Sequence, residues 1–395
     1  MTLDEVGSRH GIANCEGFFD SLGVNAGAEL GSLRSNSNTM TAEKQFTVPI
    51  VIAHRGASGY LPEHTLAAYA IAILQGADFV EPDLVMTKDG CLIARHDNVL
   101  DRTTDVACRP EFAARRTTKV VDHVEVTGWF SEDFTLQEIK RLRAIERIPV
   151  RRSENTRFDS QFEIPTLEEI IDLVTALERS TGHGIGIYPE TKHPTYFEQL
   201  GLFMGQSLVE ILRRHGFETE RKDRIFIQSF ETANLKALRN MTTMPLIQLL
   251  WVEGQPYDVA STAGTLSYDD MANGEGLKAI AAYADGVGAE KNHFIIPRDV
   301  DGNLEVHRTT RFVDEAHRAG LAVHAFTFRA ENAYLPISLR RLNPSDPNAK
   351  GDLISEIKTF LAAGIDGFFV DQPDMGVTAR AAFVAESDQR IFTAR

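Results

Sequence analysis

Between residues 50 and 371, eight short apolar runs alternate with stretches in which apolar residues recur at intervals of three and four. Such a repeat restricts the chain to a parallel sheet flanked by helices. The runs are 50–54 (IVIAH), 78–84 (DFVEPDL), 184–190 (GIGIYPE), 225–229 (IFIQS), 246–250 (LIQLL), 285–288 (DGVG), 321–327 (LAVHAFT) and 366–371 (DGFFVD). Helical periodicity is expected over 66–75, 166–179, 200–215 and 309–319. Gly76, Gly216, Gly320 and Gly364 each close such a stretch just ahead of the next run, as glycine does at a left-handed cap. Eight strand, loop, helix and glycine units predict an α/β fold, a (β/α)8 TIM barrel. An open doubly wound sheet more often carries a Gly-rich fingerprint after its first strand, and GxGxxG is absent.

One long stretch departs from the repeat. Residues 88–164 separate the second strand from its helix and begin with a hairpin-like turn, Lys88-Asp89-Gly90. They are read as an insertion, a small subdomain or lid over the barrel mouth. Shorter irregular stretches at 252–275 and 329–351 also follow strand ends, where barrel loops surround an active site. Residues 1–44, rich in Gly, Ser, Asn and Ala, are expected to be a mobile leader, which leaves 45–395 for the barrel domain.

A net charge of −15 excludes nucleic acid as a natural partner unless a basic stripe overrides it. The short cluster Arg147, Arg151 and Arg152 is read as a solvated loop instead. No run approaches the ~18 to 20 apolar residues of a membrane span, and the N-terminus lacks a secretory pattern. A soluble protein without membrane insertion is expected, cytoplasmic by sequence. Cys15, Cys91 and Cys108 have no metal-type spacing and read as plain thiols.

The polar residues with chemistry fall at the ends of the predicted strands, where barrel enzymes carry their catalytic groups. The first strand ends in His54-Arg55-Gly56, an imidazole beside an anion-binding guanidinium. In the second, Glu81 and Asp83 share a face by strand alternation, and like charges so placed are held by a divalent cation or by a salt bridge at the rim. The third adds Glu190 and, two residues on, Lys192. Three carboxylates from neighbouring strands make an oxygen-only site suited to calcium or magnesium, and Lys192 is placed to balance a bound phosphate. The insertion supplies His96, a second imidazole for dividing proton transfers across a phosphodiester. Asp97 follows it and could orient the ring, although strand neighbours face apart.

Taken in order, HRGASGYLPEHT at 54–65, EPDLVMTKDG at 81–90, HDNVLDRTTDV at 96–106 and PETKHP at 189–194 resemble the glycerophosphodiester phosphodiesterase family, especially its bacterial periplasmic-type branch. The likeness continues through IPTLEEI at 164–170, IQSFE at 227–231, VHAFTFR at 323–329 and FVDQPD at 369–374. It implies His54 and His96 as an acid/base pair, Arg55 and Lys192 as phosphate ligands, and Glu81, Asp83 and Glu190 as ligands of one divalent cation, calcium ahead of magnesium. Gln228, Phe230, Phe326 and Asp371 then line the substrate pocket, with core packing an equal reading for both phenylalanines. Glu63 also matches a family position without an evident role.

The implied reaction is hydrolysis of glycerophosphodiesters, such as glycerophosphocholine and glycerophosphoethanolamine, to sn-glycerol 3-phosphate and an alcohol. It belongs to lipid and glycerol metabolism, at a periplasmic address if a signal precedes this chain. A sphingomyelinase D-like phospholipase is the alternative, since such enzymes resemble this fold and use a similar histidine pair with an acidic metal site. That activity calls for an apolar or basic rim to meet a bilayer, which this acidic chain does not plainly offer. Pro82 departs from the family pattern and predicts a break in the strand next to the metal site.

Overall fold

The computed structural model describes residues 48–393, so the expected leader and Cys15 lie outside the described residues. Its strands, in chain order, are β1 (Ile50–His54), β2 (Phe79–Glu81), β3 (Asp83–Met86), β4 (Leu92–Ala94), β5 (Thr117–Val121), β6 (Val124–Gly128), β7 (Gly186–Ile187), β8 (Glu190–Thr191), β9 (Ile227–Ser229), β10 (Leu246–Leu250), β11 (Gly286–Glu290), β12 (Ala322–Phe328) and β13 (Gly367–Val370).

Pro82 splits β2 from β3, as its missing N–H requires, and Pro189 splits β7 from β8 in the same way. The ladder nevertheless runs through both breaks. Tyr188 N donates to Val80 O at 2.9 Å, Glu190 N to Pro82 O at 2.9 Å and Lys192 N to Leu84 O at 3.1 Å. Counted this way, β2 with β3 and β7 with β8 are single staves. The parallel pairings run from β1 through these two staves to β9, β10, β11, β12 and β13, and β13 pairs back with β1. Eight parallel staves thus close a (β/α)8 barrel, as the repeat predicted.

Helices cover the outside. The principal ones are α1 (Leu66–Leu74), α2 (Leu167–Thr181), α3 (Met204–Arg214), α4 (Thr232–Met241), α5 (Gly274–Ile280), α6 (Phe312–Arg318), α7 (Leu353–Ala362) and α8 (Pro373–Thr393). In α2 the buried set is Leu167, Ile170, Ile171, Val174 and Leu177, one face of a 3.6-residue period. Thr166 and Glu169 form a reciprocal capping box at its start. The expected glycine stops, Gly76, Gly216, Gly320 and Gly364, all sit at positive φ, from 78° to 93°. Among the described residues, no helix is long and apolar enough to cross a membrane.

The barrel interior explains why the strand ends are polar. Ile50, Ile52, Phe79, Tyr188, Phe226, Ile247 and Phe369 pack together as a plug. Each fully buried Ile or Phe there contributes roughly 1.5–3 kcal/mol of hydrophobic stabilisation. Because side chains alternate, continuing these inward phases along each stave leads to His54, Glu81, Glu190, Gln228 and Asp371 at the carboxyl ends. Val51, Ala53 and Val80, in the opposite phase, belong instead to the layer beneath the helices.

The insertion is a part of this core. β4 pairs antiparallel with β3 across the expected turn, and β5 and β6 form a separate ribbon. Phe112, Trp129, Phe130 and Phe134 anchor it in the outer hydrophobic layer. Among the described residues, Cys91 is half-buried and Cys108 exposed, and both are free thiols.

Candidate active site

The inward residues converge on a cavity of about 400 Å³ at the carboxyl ends of the staves. His54 and His96 both line it, with Arg55, Glu81, Glu190 and Lys192. Gln228, Phe230 and Phe326 also border it, so both phenylalanines face the pocket. Trp251 joins them and stacks on Phe326, with ring centroids 6.1 Å apart and planes 9° apart. Trp251 was missed from the sequence because it lies one position beyond the fifth strand.

Glu81, Asp83 and Glu190 are buried and offer carboxylate oxygens that all lie within 4.8 Å of one another. Burial and its two acidic neighbours hold the Glu81 carboxyl well above its usual range. Burial likewise raises Glu190, to about 8, against the opposing pull of Lys192. For Asp83, burial is overcome by Arg55 and Lys192, which hold it well below the usual carboxylate range. Three buried carboxylate oxygens this close together are of a number and type that could hold a hard divalent ion beside Arg55 and Lys192.

The surrounding bonds fix each acid. Glu81 Oε2 accepts from Arg55 N at 2.8 Å and its Oε1 from Gln228 Nε2 at 3.1 Å. Arg55 adopts φ 59°, a left-handed conformation that costs a non-glycine residue about 1 kcal/mol or more and turns its N–H inward. Its guanidinium reaches Asp83 at 3.1 Å and Glu63 at 3.0 Å, and among the described residues nothing bonds Nη2. Glu63 therefore acquires a place: it spans Arg55 and Arg147, the latter at 2.8 Å. His64, absent from the sequence reading though it lies in the PEHT motif, is fully buried and meets Asp83 at 2.9 Å and the Tyr69 hydroxyl at 2.7 Å. Lys192 Nζ donates to Glu190 Oε1 at 2.7 Å and stands 3.3 Å from His96 Nε2.

Both imidazoles have a carboxylate behind them. His54 Nδ1 lies 2.6 Å from Asp371 Oδ1, and because Asp371 is held well below the usual carboxylate range by Arg152 and Arg329 in spite of burial, Nδ1 carries the proton. His96 Nδ1 lies 2.6 Å from Asp97 Oδ1, which is likewise held ionised, so here too Nε2 is the atom presented to the cavity. The contact is the one an orienting role for Asp97 calls for, and the expectation from strand alternation does not hold here. Residues 96 and 97 lie beyond the end of β4, so strand alternation does not apply and the two side chains meet. Burial, then Arg55, lowers both histidines, His96 to about 3.

The reading of Arg147, Arg151 and Arg152 as a solvated loop is also corrected. Arg147 bridges Glu63 and Asp97, each at 2.8 Å. Arg152 is 8% exposed and bonds Glu331, Ser58 O and Asp371. Arg151 is half-buried against Asn348. The insertion thus ends in arginines that brace the acids behind both histidines, which local charge spacing cannot reveal.

Fold and site together place the chain among the (β/α)8-barrel phosphoric diester hydrolases. It is 35% identical to a glycerophosphodiester phosphodiesterase of Arabidopsis thaliana over 83% of this chain and 84% of that one. It is 31% identical to a glycerophosphodiester phosphodiesterase of Haemophilus influenzae over 90% of this chain and 96% of that one. Residues 54–375 match the glycerophosphoryl diester phosphodiesterase family, and the chain belongs to that family. The fold is shared with a solved structure from Silicibacter pomeroyi, with TM-score 0.56, 21% identity and coverage of 85% and 94% of the two chains. It is shared too with an Oleispira antarctica phosphodiesterase solved in complex with the product sn-glycerol-3-phosphate, with TM-score 0.51, 22% identity and coverage of 84% and 96%.

Proposed function

We propose that this enzyme hydrolyses glycerophosphodiesters of the glycerophosphocholine and glycerophosphoethanolamine kind to sn-glycerol 3-phosphate and an alcohol, with His54 and His96 as the acid/base pair and one divalent cation held by Glu81, Asp83 and Glu190. The observation that carries this is the sharing of a single cavity by two carboxylate-backed imidazoles, Arg55, Lys192, and Glu81 and Glu190 of the acid cluster, with Asp83 beside them. The product named for the Oleispira antarctica relative agrees with the substrate class.

Each residue has a task. Arg55, with Nη2 uncommitted, and Lys192 bind the non-bridging phosphate oxygens and offset the charge that grows on them during displacement. Glu81, Asp83 and Glu190 would hold a divalent cation that would supply Lewis-acid stabilisation of this charge and favour the ionised forms of Glu81 and Glu190. One histidine accepts a proton from the attacking oxygen through Nε2. The other, entering the cycle protonated, donates its Nε2 proton to the departing alkoxide, and solvent returns the pair to its starting state. Asp371 and Asp97 fix the tautomers and favour the imidazolium of each step. Calcium ahead of magnesium, and kinship with the periplasmic-type branch, complete the reading. The sphingomyelinase D alternative gains no support, since the curated relatives named above carry the glycerophosphodiester activity in their names.

The test is chelation followed by restoration. Protein stripped with EDTA is assayed for glycerol phosphate release from glycerophosphocholine, then supplied with calcium or magnesium alone. Recovery with either ion supports the proposal. Full turnover in the stripped protein contradicts the cation role, and turnover of sphingomyelin in place of glycerophosphocholine contradicts the substrate class.

A further inference from the structure

A second cavity, of about 480 Å³, opens beside the first, and His96, Glu190, Lys192, Phe230 and Trp251 line both. A phosphodiester centred at the clustered acids can therefore extend one ester arm into each cavity. The two differ in charge and in wall chemistry. The first is also lined by Lys291, Arg298 and Arg329, which pair with Glu356 and Asp371, beside Glu290. The second is bordered by Asp122, Glu231 and Glu253, and among the described residues Lys192 is the only lysine or arginine in its lining.

Its walls are aromatic. Phe230 meets Trp251 at 6.3 Å and Tyr268 at 6.1 Å between ring centroids, both edge-on. Across from them stands the tip of the β5–β6 ribbon. Asp122 and His123 both adopt positive φ, 48° and 66°, the geometry of a tight two-residue hairpin turn. His123 packs edge-on against Tyr257 at 5.0 Å, and Asp122 Oδ2 pairs with His193 Nδ1 at 2.5 Å. Glu231, 3% exposed, takes hydrogen bonds from the Thr195 amide and hydroxyl through Oε2. Among the described residues, nothing bonds its Oε1. Burial raises the Glu231 carboxyl to about 8 against the pull of the Thr195 hydrogen bond, with Asp122 and Asp258 adding to the rise, so an adjoining cation would draw this acid into its ionised form.

We infer that this second cavity receives the head group of the diester and selects for an ammonium, with Trp251, Tyr257 and Tyr268 as the aromatic faces and Asp122 and Glu231 as the counter-charges. Desolvated ammonium groups, quaternary ones above all, gain from aromatic faces and from nearby carboxylates together. The first cavity, lined by Lys291, Arg298 and Arg329, offers that group fewer acids and is left to the uncharged glycerol arm. His96, which borders both cavities, then stands on the side of the departing alcohol.

The inference rests on the proposed activity, and one experiment separates the two. The ratio of kcat/KM for glycerophosphocholine over glycerophosphoglycerol, whose head group is neutral, is measured for the wild type, Asp122→Asn and Trp251→Ala. Both side chains are at least partly solvent-exposed, and circular dichroism checks that the variants are folded. The expected result is a wild-type ratio above one that falls about tenfold in each variant, with tetramethylammonium competing against glycerophosphocholine in the wild type. A ratio that stays within twofold of wild type in both variants overturns the head-group assignment alone. Absence of turnover of either diester by the wild type overturns the activity itself.

Discussion

His54 Nδ1 lies 2.6 Å from Asp371 Oδ1, joining the end of β1 to the residue that follows β13, 317 positions away in the chain. Closure of the barrel makes these staves neighbours, and the bond decides which nitrogen of His54 faces substrate. Replacing Asp371 with Asn removes the charge and allows the other tautomer. We expect kcat for glycerophosphocholine to fall about 10²-fold or more with KM changed far less, measured by steady-state kinetics.

Arg152 secures that arrangement from the insertion. It is 8% exposed and satisfies both Glu331 and Asp371, so Arg152→Met leaves two buried carboxylates short of a partner. Breaking one side of such a buried network costs about 3–5 kcal/mol. Urea unfolding of the variant is expected to show a loss of that order, while Arg157→Met, on a side chain 68% exposed, changes stability by about 0.5 kcal/mol or less.

A cation held by Glu81, Asp83 and Glu190, as proposed, would make stability depend on that ion. A ligand at about 100 times its Kd stabilises the folded state by about 2.7 kcal/mol. Calcium or magnesium added to stripped protein is expected to raise the melting temperature in a concentration-dependent way. Glu190→Gln is expected to remove most of that rise, because one of the three oxygen ligands loses its charge.

His324 is expected to contribute to acid sensitivity. Fully buried and bonded through Nδ1 to the Tyr188 hydroxyl at 2.7 Å, it is lowered by burial from 6.5 to about 4. The folded pKa is below the unfolded one, so the unfolded chain takes the proton first as pH falls. This group's contribution is intact above pH 6.5, declines through the interval from 6.5 to about 4, and is flat below it. The full decline is about 3 kcal/mol at 1.36 kcal/mol per unit. Paired unfolding curves at pH 7 and pH 4.5 should show a shallower loss in His324→Gln than in the wild type; equal losses would exclude this role.

Much of the site is visible in the sequence because it lies on strands. Alternation carries Glu81 and Asp83 to one side and sets Glu190 beside Lys192, and the break at Pro82 follows from a missing N–H. The parts that escape are those that closure and the insertion bring together. Asp97 faces His96 only because the chain has left β4, and Arg147 and Arg152 reach the site from a segment whose local pattern is that of a charged loop. Trp251 and the Asp122-His123 tip are the same case: irregular segments carry no period from which a facing direction can be read.

The proposed catalysis turns on two imidazoles acting across one phosphorus. Its most direct test is the rate of glycerol phosphate release from glycerophosphocholine, at saturating cation, by His54→Ala and His96→Ala. Each substitution alone is expected to lower kcat by about 10²-fold or more. Either variant turning over at close to the wild-type rate would contradict it.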